Sequence, residues 1–356
     1  MFFLNKQKAM IMKKKARWLG LLFTLMLGLF PVIGQAEEGT LNFYVTPEFP
    51  DSQVEGSSSY FDLNLSAGET EHLALKLQNA SNDSIRVQVT PHTAYTNVHG
   101  VVEYGQDAKE PDPSLSHSLD ELIDPSEIIE LAGNETKTIS VPLHMPQESF
   151  EGFLAGGLRI AQVKDEPEES PNNGEGVAIK NEFAYVIGVV VSNARNSVQP
   201  DLELLDVFAD QLNYRNVISA NLQNFTPAFI NQLAVEATVQ RAGEDDILYK
   251  ASEEMMQMAP NSNFNFPIPL EGDSFRSGEY VLKLKATSGE EEWSWERTFI
   301  IETEDARSFN RSDVTIDTNT NWWMVGSIVL GILLLGVILY LLIQKQKARA
   351  TNEQEQ

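Results

Sequence analysis

The chain has 356 residues, contains no cysteine and carries a formal net charge of −25 at pH 7. The lack of cysteine excludes a disulfide framework and a cysteine nucleophile, and the negative charge disfavours nucleic acid and anionic wall polymers as partners. Solubility alone is an equally good explanation of the charge. The length leaves room for about two domains of ordinary size.

The N-terminal segment has the three parts of a secretory signal peptide. Six lysine and arginine residues precede the apolar run 18–30, Pro31 ends that run, and Gly34 and Ala36 supply the small residues of a cleavage site. Residues 1–36 are therefore predicted to be a signal peptide. The domains that follow are predicted to be extracellular.

From residue 41 to residue 301, apolar and polar residues alternate, turn residues recur at short intervals, and no long amphipathic helix interrupts the pattern. The clearest alternation occurs at Leu73, Leu75, Leu77, Ile85, Val87 and Val89, and in 217–222, 233–239 and 280–286. A period of two with frequent turns is typical of antiparallel sheets. We expect an all-β protein with two tandem immunoglobulin-like β-sandwich domains, in which the runs 73–77 and 85–89 form a hairpin.

The domain limits follow from where the alternation stops. The first sandwich is predicted over residues 41–163 and the second over residues 175–302. Strand 183–191 is a candidate to complete the first sandwich by pairing with 157–163, which would move the border from near residue 175 to near residue 200.

Two segments lack periodicity, and both are predicted to be mobile surface loops. Residues 106–118 are rich in Asp and Pro, and residues 164–176 are rich in Glu, Pro, Asn and Gly. Such compositions do not bury enough apolar surface to order themselves.

The C-terminal part is predicted to anchor the chain in a membrane. Residues 303–321 are polar and are predicted to be a flexible stalk. The 22 residues from Trp322 to Ile343 carry no charge and are long enough for a transmembrane helix, which needs about 20 residues. Basic residues follow in 344–356 and place that tail in the cytoplasm. The predicted localisation is the cell membrane, with a single pass and extracellular N-terminal domains.

Short segments in both halves of the chain carry a family resemblance. They are 43–47, 59–63, 79–89, 94–97, 141–145, 150–152 and 156–158 in the first half, and 185–189, 213–217, 258–262 and 277–280 in the second. In this order they resemble the WxL-interacting protein family of Gram-positive cell surfaces. The resemblance implies a peptidoglycan-binding domain followed by a host-binding domain, with WxL proteins and peptidoglycan as partners. Contact with host extracellular-matrix proteins is a further option.

No catalytic residue, cofactor or metal ligand is predicted. The five histidines lack the short spacings of metal ligands, and no nucleotide-binding or nucleophile motif stands in a suitable context. Adjacent carboxylates such as Asp245 and Asp246 point to opposite faces of a strand, so they do not form a catalytic pair across a sugar.

A glycan site in a sandwich would use aromatic rings, which stack on sugar faces, together with planar amides. The neighbourhood of Tyr95, Asn97 and Tyr104 is the best candidate in the first domain. Packing is the favoured role for Tyr95, because aromatic side chains are usually buried.

The favoured function is therefore a cell-surface scaffold and not an enzyme. An export-associated chaperone that offers a sheet edge to client strands is the alternative. A cryptic glycan hydrolase is a third reading.

Overall fold

The computed structural model describes residues 42–163, 183–316, 323 and 326–338. The predicted signal peptide, the loop 164–176 and the tail 344–356 lie outside these residues. The described chain is mostly β-strand, as predicted, and the immunoglobulin-like class stays a prediction.

In the described residues, the first sandwich has ten strands and a one-turn helix. They are β1 Phe43–Glu48, β2 Phe61–Asn64, β3 Thr70–Asn79, β4 Ile85–Thr93, β5 Tyr95–Thr96, β6 Val102–Glu103, α1 Leu119–Leu122, β7 Ile129–Leu131, β8 Thr136–His144, β9 Leu154–Gln162 and β10 Ala184–Ser192. One sheet has the order β1-β3-β8 and the facing sheet the order β2-β10-β9-β4-β7, while β5 and β6 form a short ribbon.

The second sandwich consists of seven strands and a helix. They are β11 Leu202–Leu212, β12 Arg215–Asn224, β13 Ile230–Arg241, β14 Ile247–Met258, β15 Ser262–Pro269, β16 Gly278–Ser288, β17 Glu291–Ile301 and α2 Thr303–Ser312. The sheets have the orders β11-β12-β15 and β14-β13-β16-β17, and every pair is antiparallel.

The alternation that predicted strands also identifies the buried faces. Leu73, Leu75 and Leu77 of β3 are fully buried against Val87 and Val89 of β4 in one core. These two strands do not form the predicted hairpin, because β3 pairs with β1 and β8 whereas β4 pairs with β7 and β9. The turn between them carries the chain from one sheet to the other.

Strand β10 belongs to the first sandwich. It pairs antiparallel with β9, where Gly188 stands opposite Gly157, and parallel with β2. The change from the first to the second sandwich therefore lies between β10 and β11, which begins at Leu202.

Each sandwich contains the same polar corner at the end of a strand. The Asn79 amide donates to the carbonyl oxygens of Asp83 and Ala132, both at 2.8 Å, and its oxygen accepts from the Ser81 N–H and hydroxyl. Asn224 makes the equivalent bonds to Ala228, Ala259 and Thr226. Both asparagines are buried, so their side chains replace backbone partners that the turning chain would otherwise lack.

The segment predicted to be a flexible stalk begins instead with helix α2, which packs on the second sandwich. Ala306 is buried, the Phe309 ring lies 5.9 Å from the Phe275 ring, and the Asn310 side chain bonds both the N–H and the carbonyl of Phe275. These residues are three or four apart and therefore share one helical face. This face contains few apolar residues, so the sequence of the polar segment shows no amphipathic pattern that would predict a helix.

The predicted transmembrane helix from Trp322 to Ile343 is wrong for the residues that the structure describes. Among them, no helix is long and apolar enough to cross a membrane. The predicted single-pass localisation and the predicted membrane contact both rested on this helix, so the structure does not support them either.

Asp313 follows α2 and ties the helix to β12. Its carboxylate accepts from the Asn216 N–H at 2.7 Å and from the N–H and hydroxyl of Thr315, both at 2.6 Å. Burial opposes the charged form, but these hydrogen bonds outweigh it and hold the pKa of Asp313 below its ordinary value of 3.8. A carboxyl with a lowered folded-state pKa stabilises the fold above the unfolded-state pKa, and this stabilisation is lost as the pH falls through the folded-state value.

We therefore expect Asp313→Asn to lower the free energy of unfolding near neutral pH by about 1 kcal/mol or more. The deficit should shrink as the pH falls below 3.8. Urea unfolding of the full chain across this range measures both stabilities. A deficit that stays constant with pH would contradict the role given to the carboxylate.

Candidate functional site

A buried polar network joins the two sandwiches. Asp112 lies in the connection between β6 and α1 and is 6% exposed. Its carboxylate accepts from the side chains of Gln223 at 2.8 Å and Asn263 at 2.5 Å, both in the second sandwich, and from the N–H and hydroxyl of Ser114. The segment 106–118, predicted to be a mobile surface loop, therefore supplies the centre of this contact.

The ribbon of β5 and β6 extends the contact. The hydroxyls of Thr96 and Ser262 lie 2.6 Å apart, and Thr96 also accepts from the Ala259 N–H. The Gly100 carbonyl accepts from the Gln257 N–H at 2.7 Å. These backbone and side-chain bonds join groups of one sandwich to groups of the other, so the two are held in one arrangement.

A small apolar cluster lies beside the polar network. Its buried members are Ala94, Val102, Ala155, Val190 and Ala259, and Tyr104, Phe153 and Phe229 pack against them. The rings of Phe153 and Phe229, one from each sandwich, are 6.3 Å apart. Such ring pairs are worth about 0.5–1.5 kcal/mol beyond the area that they bury.

A cleft of about 430 Å³ opens next to this cluster. We call it the inter-sandwich cleft, and it is lined by Tyr60, Asp62, Tyr104, Phe153, Val186, Gly188, Val190 and Arg195 of the first sandwich and Phe229, Asn231 and Gln257 of the second. Its volume lies in the range of small-molecule sites, about 300–1,000 Å³.

Tyr60 and Tyr104 form the aromatic wall of the inter-sandwich cleft, and two glycines leave space for them. Gly157 and Gly188 are partners across β9 and β10. A Cβ atom at Gly157 would meet the Tyr104 carbonyl oxygen at 2.5 Å, and one at Gly188 would meet the Tyr60 Cβ at 3.3 Å. Side chains here would therefore push both tyrosines away from the sheet.

A charged pair completes the cleft on the side of the first sandwich. Arg195 forms an ion pair with Asp62, which is 8% exposed, and its guanidinium lies 5.4 Å above the centre of the Phe153 ring. Arg195 has a φ of 51°, a left-handed conformation that is uncommon outside glycine and that clusters at functional sites. In the described chain, its buried Nε atom has no hydrogen-bond partner.

Two amides face the cleft from the second sandwich. Gln257 donates to the Asn231 side-chain oxygen at 3.0 Å, which leaves the Asn231 amide group as a donor and the Gln257 oxygen as an acceptor. Both side chains are exposed.

Burial raises the pKa of the Tyr104 hydroxyl above its ordinary value of 10.0, and the nearby Tyr60 adds to this effect. Tyr104 is therefore neutral at physiological pH and offers both a donor and an acceptor. The cleft thus combines aromatic faces, neutral polar groups and one charged pair, a lining suited to small polar ligands.

The three residues proposed from the sequence are not brought together in one site. Tyr104 lines the inter-sandwich cleft, whereas Tyr95 lines a separate cavity of about 160 Å³, where its hydroxyl accepts from Gln106. The Asn97 oxygen accepts from the N–H groups of His99 and Val101, and its amide donates to Glu103 at 2.7 Å. Asn97 therefore holds the turn between β5 and β6.

The other cleft residues escaped sequence reasoning because they are far apart in the chain. Asp62 and Arg195 are separated by more than 130 residues, and Asn231 and Gln257 belong to the other sandwich. The sequence did contain one signal of a site, which is that Gly157 and Gly188 lie inside predicted strands. Glycine in a strand often marks the close approach of another group.

The histidines are scattered and contact ordinary polar neighbours, as when His144 contacts the Thr70 hydroxyl at 3.1 Å. His92 and His144 lie beside Asp107 and Asp124 at 2.9 and 3.3 Å. Within the described ranges, no group of three or more His, Cys, Asp or Glu side chains is arranged to hold a metal ion.

The two joined sandwiches and their polar cleft are typical of a binding protein. The sequence matches "WxL Interacting Protein, peptidoglycan binding domain" over residues 43–162 and "WxL Interacting Protein, host binding domain" over residues 174–311. The chain belongs to the WxL-interacting protein family, and the predicted resemblance is confirmed. Both matched families are binding domains and neither is an enzyme, so the chain is a cell-surface binding protein for peptidoglycan and a host partner.

No curated protein matches the sequence. Among solved structures, the chaperone–tip adhesin pre-assembly complex CsuC–CsuE of Acinetobacter baumannii is 14% identical, with a TM-score of 0.30, over 72% of this chain and 98% of that one. The YadV chaperone is 10% identical, with a TM-score of 0.29, over 73% of this chain and 100% of that one. Likenesses this weak carry no argument about function.

Removing the carboxylate of Asp112 should weaken the joint between the sandwiches. Asp112→Ala leaves the amide donors of Gln223 and Asn263 without their acceptor, and we expect a loss of about 3 kcal/mol in the free energy of unfolding. Glu110→Ala is the matched control, because Glu110 is exposed in the same segment, and it should change stability by less than about 0.5 kcal/mol. Urea unfolding compares the two, and equal losses would contradict the role of Asp112.

Proposed function

We propose that the inter-sandwich cleft is where the chain binds the glycan of peptidoglycan. The observation that carries the proposal is the placement of Tyr60, Tyr104 and the amides of Asn231 and Gln257 around one open volume. Aromatic faces pack against the C–H groups of sugar rings, while amides exchange hydrogen bonds with hydroxyl and N-acetyl groups. The match of residues 43–162 to a peptidoglycan-binding domain supports this proposal, because Tyr60, Asp62, Tyr104 and Phe153 of that range line the cleft.

The charged pair adds a second element of recognition. Peptidoglycan carries carboxylates on its peptide stems, and a guanidinium binds a carboxylate through two parallel hydrogen bonds. In the proposal, Arg195 turns towards the ligand while Asp62 continues to hold it. The negative charge of the whole chain then selects for short or neutral glycans over highly charged wall polymers.

At a larger scale, we propose that the chain is a scaffold that associates with WxL proteins while it binds the wall, and that its host partners include extracellular-matrix proteins. The observation that supports a scaffold is the buried polar joint centred on Asp112. A rigid joint keeps a wall-binding cleft and a partner-binding domain at a fixed separation, so that one bound molecule positions the other.

Tyr60 offers the sharpest test of the cleft. Tyr60→Ala should weaken co-sedimentation of the full chain with purified cell-wall sacculi, raising the apparent Kd by about fivefold, since one aromatic contact is worth about 1 kcal/mol. Tyr44→Ala is the matched control, because Tyr44 is 51% exposed on β1 and does not line the cleft. If both variants bind sacculi as well as the parent, the cleft is not the glycan site.

A crosslinked pull-down from intact cells tests the scaffold. We expect a WxL protein to be recovered and to stay bound through a high-salt wash, because a specific interface with an apolar core is screened little by salt. Recovery of secretion machinery and nascent chains alone would contradict the scaffold and favour the assembly chaperone.

A further inference from the structure

Another cavity, of about 390 Å³, lies in the second sandwich, and we call it the distal pocket. It is lined by residues of β13, β14 and β16 and of the connection between β15 and β16. Strand β13 runs from Ile230, next to the inter-sandwich cleft, to Arg241 in this pocket. Asn231, which lines the cleft, and Arg241 are ten residues apart, so at about 3.3 Å per residue the two sites are about 33 Å apart along the strand.

Two arginines face the distal pocket, and one of them is held in place. The guanidinium of Arg241 lies 5.3 Å above the centre of the Tyr280 ring and donates to the Tyr280 hydroxyl at 3.4 Å. Tyr280 is 2% exposed, and its hydroxyl donates to the carbonyl oxygen of Arg276 at 2.7 Å. One buried ring therefore connects the guanidinium of Arg241 to the backbone that carries Arg276.

Within the described part of the chain, neither guanidinium has an acidic partner. Over the ranges that the structure describes, no carboxylate lies within ion-pair distance of Arg241 or Arg276, although Asp273 also lines the pocket. Burial raises the pKa of the neighbouring Tyr249 hydroxyl, and Asp273 adds to this, whereas Arg276 and Arg241 act in the opposite direction. Both positive charges therefore act on the same small volume.

We propose that the distal pocket binds a carboxylate of an acidic peptide segment in a protein partner. Two guanidinium groups offer several N–H donors to the two oxygens of one carboxylate, and a guanidinium already fixed on a ring loses less entropy on binding. Leu248 is 42% exposed at the edge of the pocket and provides an apolar contact beside the charge, which a peptide satisfies. A polyanion is disfavoured because the chain as a whole carries a charge of −25.

The inference goes beyond the proposed glycan cleft and does not rest on it. The pocket belongs to the region that matches the host-binding domain, and none of its lining residues lines the cleft. A failure of glycan binding would leave the distal pocket untouched, and the reverse also holds.

Protection from phenylglyoxal, which modifies accessible guanidinium groups, tests the proposal on the full chain. The probe is the peptide Ac-Leu-Glu-Leu-NH₂, and Ac-Leu-Gln-Leu-NH₂ is its neutral match. We expect the acidic peptide to slow modification of Arg241 and Arg276, measured by mass spectrometry of the digested protein, and to leave the exposed Arg215 unchanged. Equal protection by both peptides, or none by either, overturns the proposal.

Two variants and one further probe sharpen the result. Arg276→Gln should raise the concentration of acidic peptide needed to protect Arg241 by about tenfold, the effect of one lost charge-assisted hydrogen bond. Asp273→Asn removes the competing carboxylate and should lower that concentration, and an increase contradicts the proposal. If inorganic phosphate protects both arginines better than the acidic peptide does, the pocket is a phosphate site and the peptide proposal fails.

Discussion

The structure depends on one buried carboxylate. Asp112 is removed from water and has no cationic partner among the residues that the structure describes, and its burial is tolerated because amide and hydroxyl donors from both sandwiches satisfy it. The Ser114 donors are local, but Gln223 and Asn263 belong to the second sandwich, so their bonds form only when the two sandwiches are in their final positions. The inter-sandwich cleft has walls from both domains and would not exist without this joint.

The two proposed sites use charge in opposite ways. In the inter-sandwich cleft, Arg195 already has a carboxylate partner in Asp62, so aromatic and amide groups dominate recognition. In the distal pocket, Arg241 is held by a ring, which leaves its charge for a ligand. Both sites lie along the same strand β13, which is hydrogen-bonded on both sides and therefore gives them a fixed separation. A stiff connection suits a protein whose two domains bind different partners.

Several differences between prediction and structure have the same physical origin, which is contact between residues that are far apart in the chain. The alternation at 73–77 and 85–89 correctly identified two strands with one buried face each. It did not show whether they pair as a hairpin or lie in facing sheets, because both arrangements bury the same residues. The segment 106–118 has the composition of a loop, yet one of its aspartates is buried because the second sandwich supplies the hydrogen bonds. Helix α2 was missed because its few apolar residues acquire a buried face only against Phe275.

The sequence by itself determined the strands, their buried faces, the two-domain order and the family, because a period of two and short local motifs are properties of neighbouring residues. It also indicated Tyr104 as a candidate binding residue. Only the tertiary structure decided which strands pair, that β10 closes the first sandwich, and that Arg195, Asn231 and Gln257 meet Tyr104 around one cleft. These contacts join residues far apart in the chain, and their energy depends on packing and hydrogen bonding that local patterns do not encode.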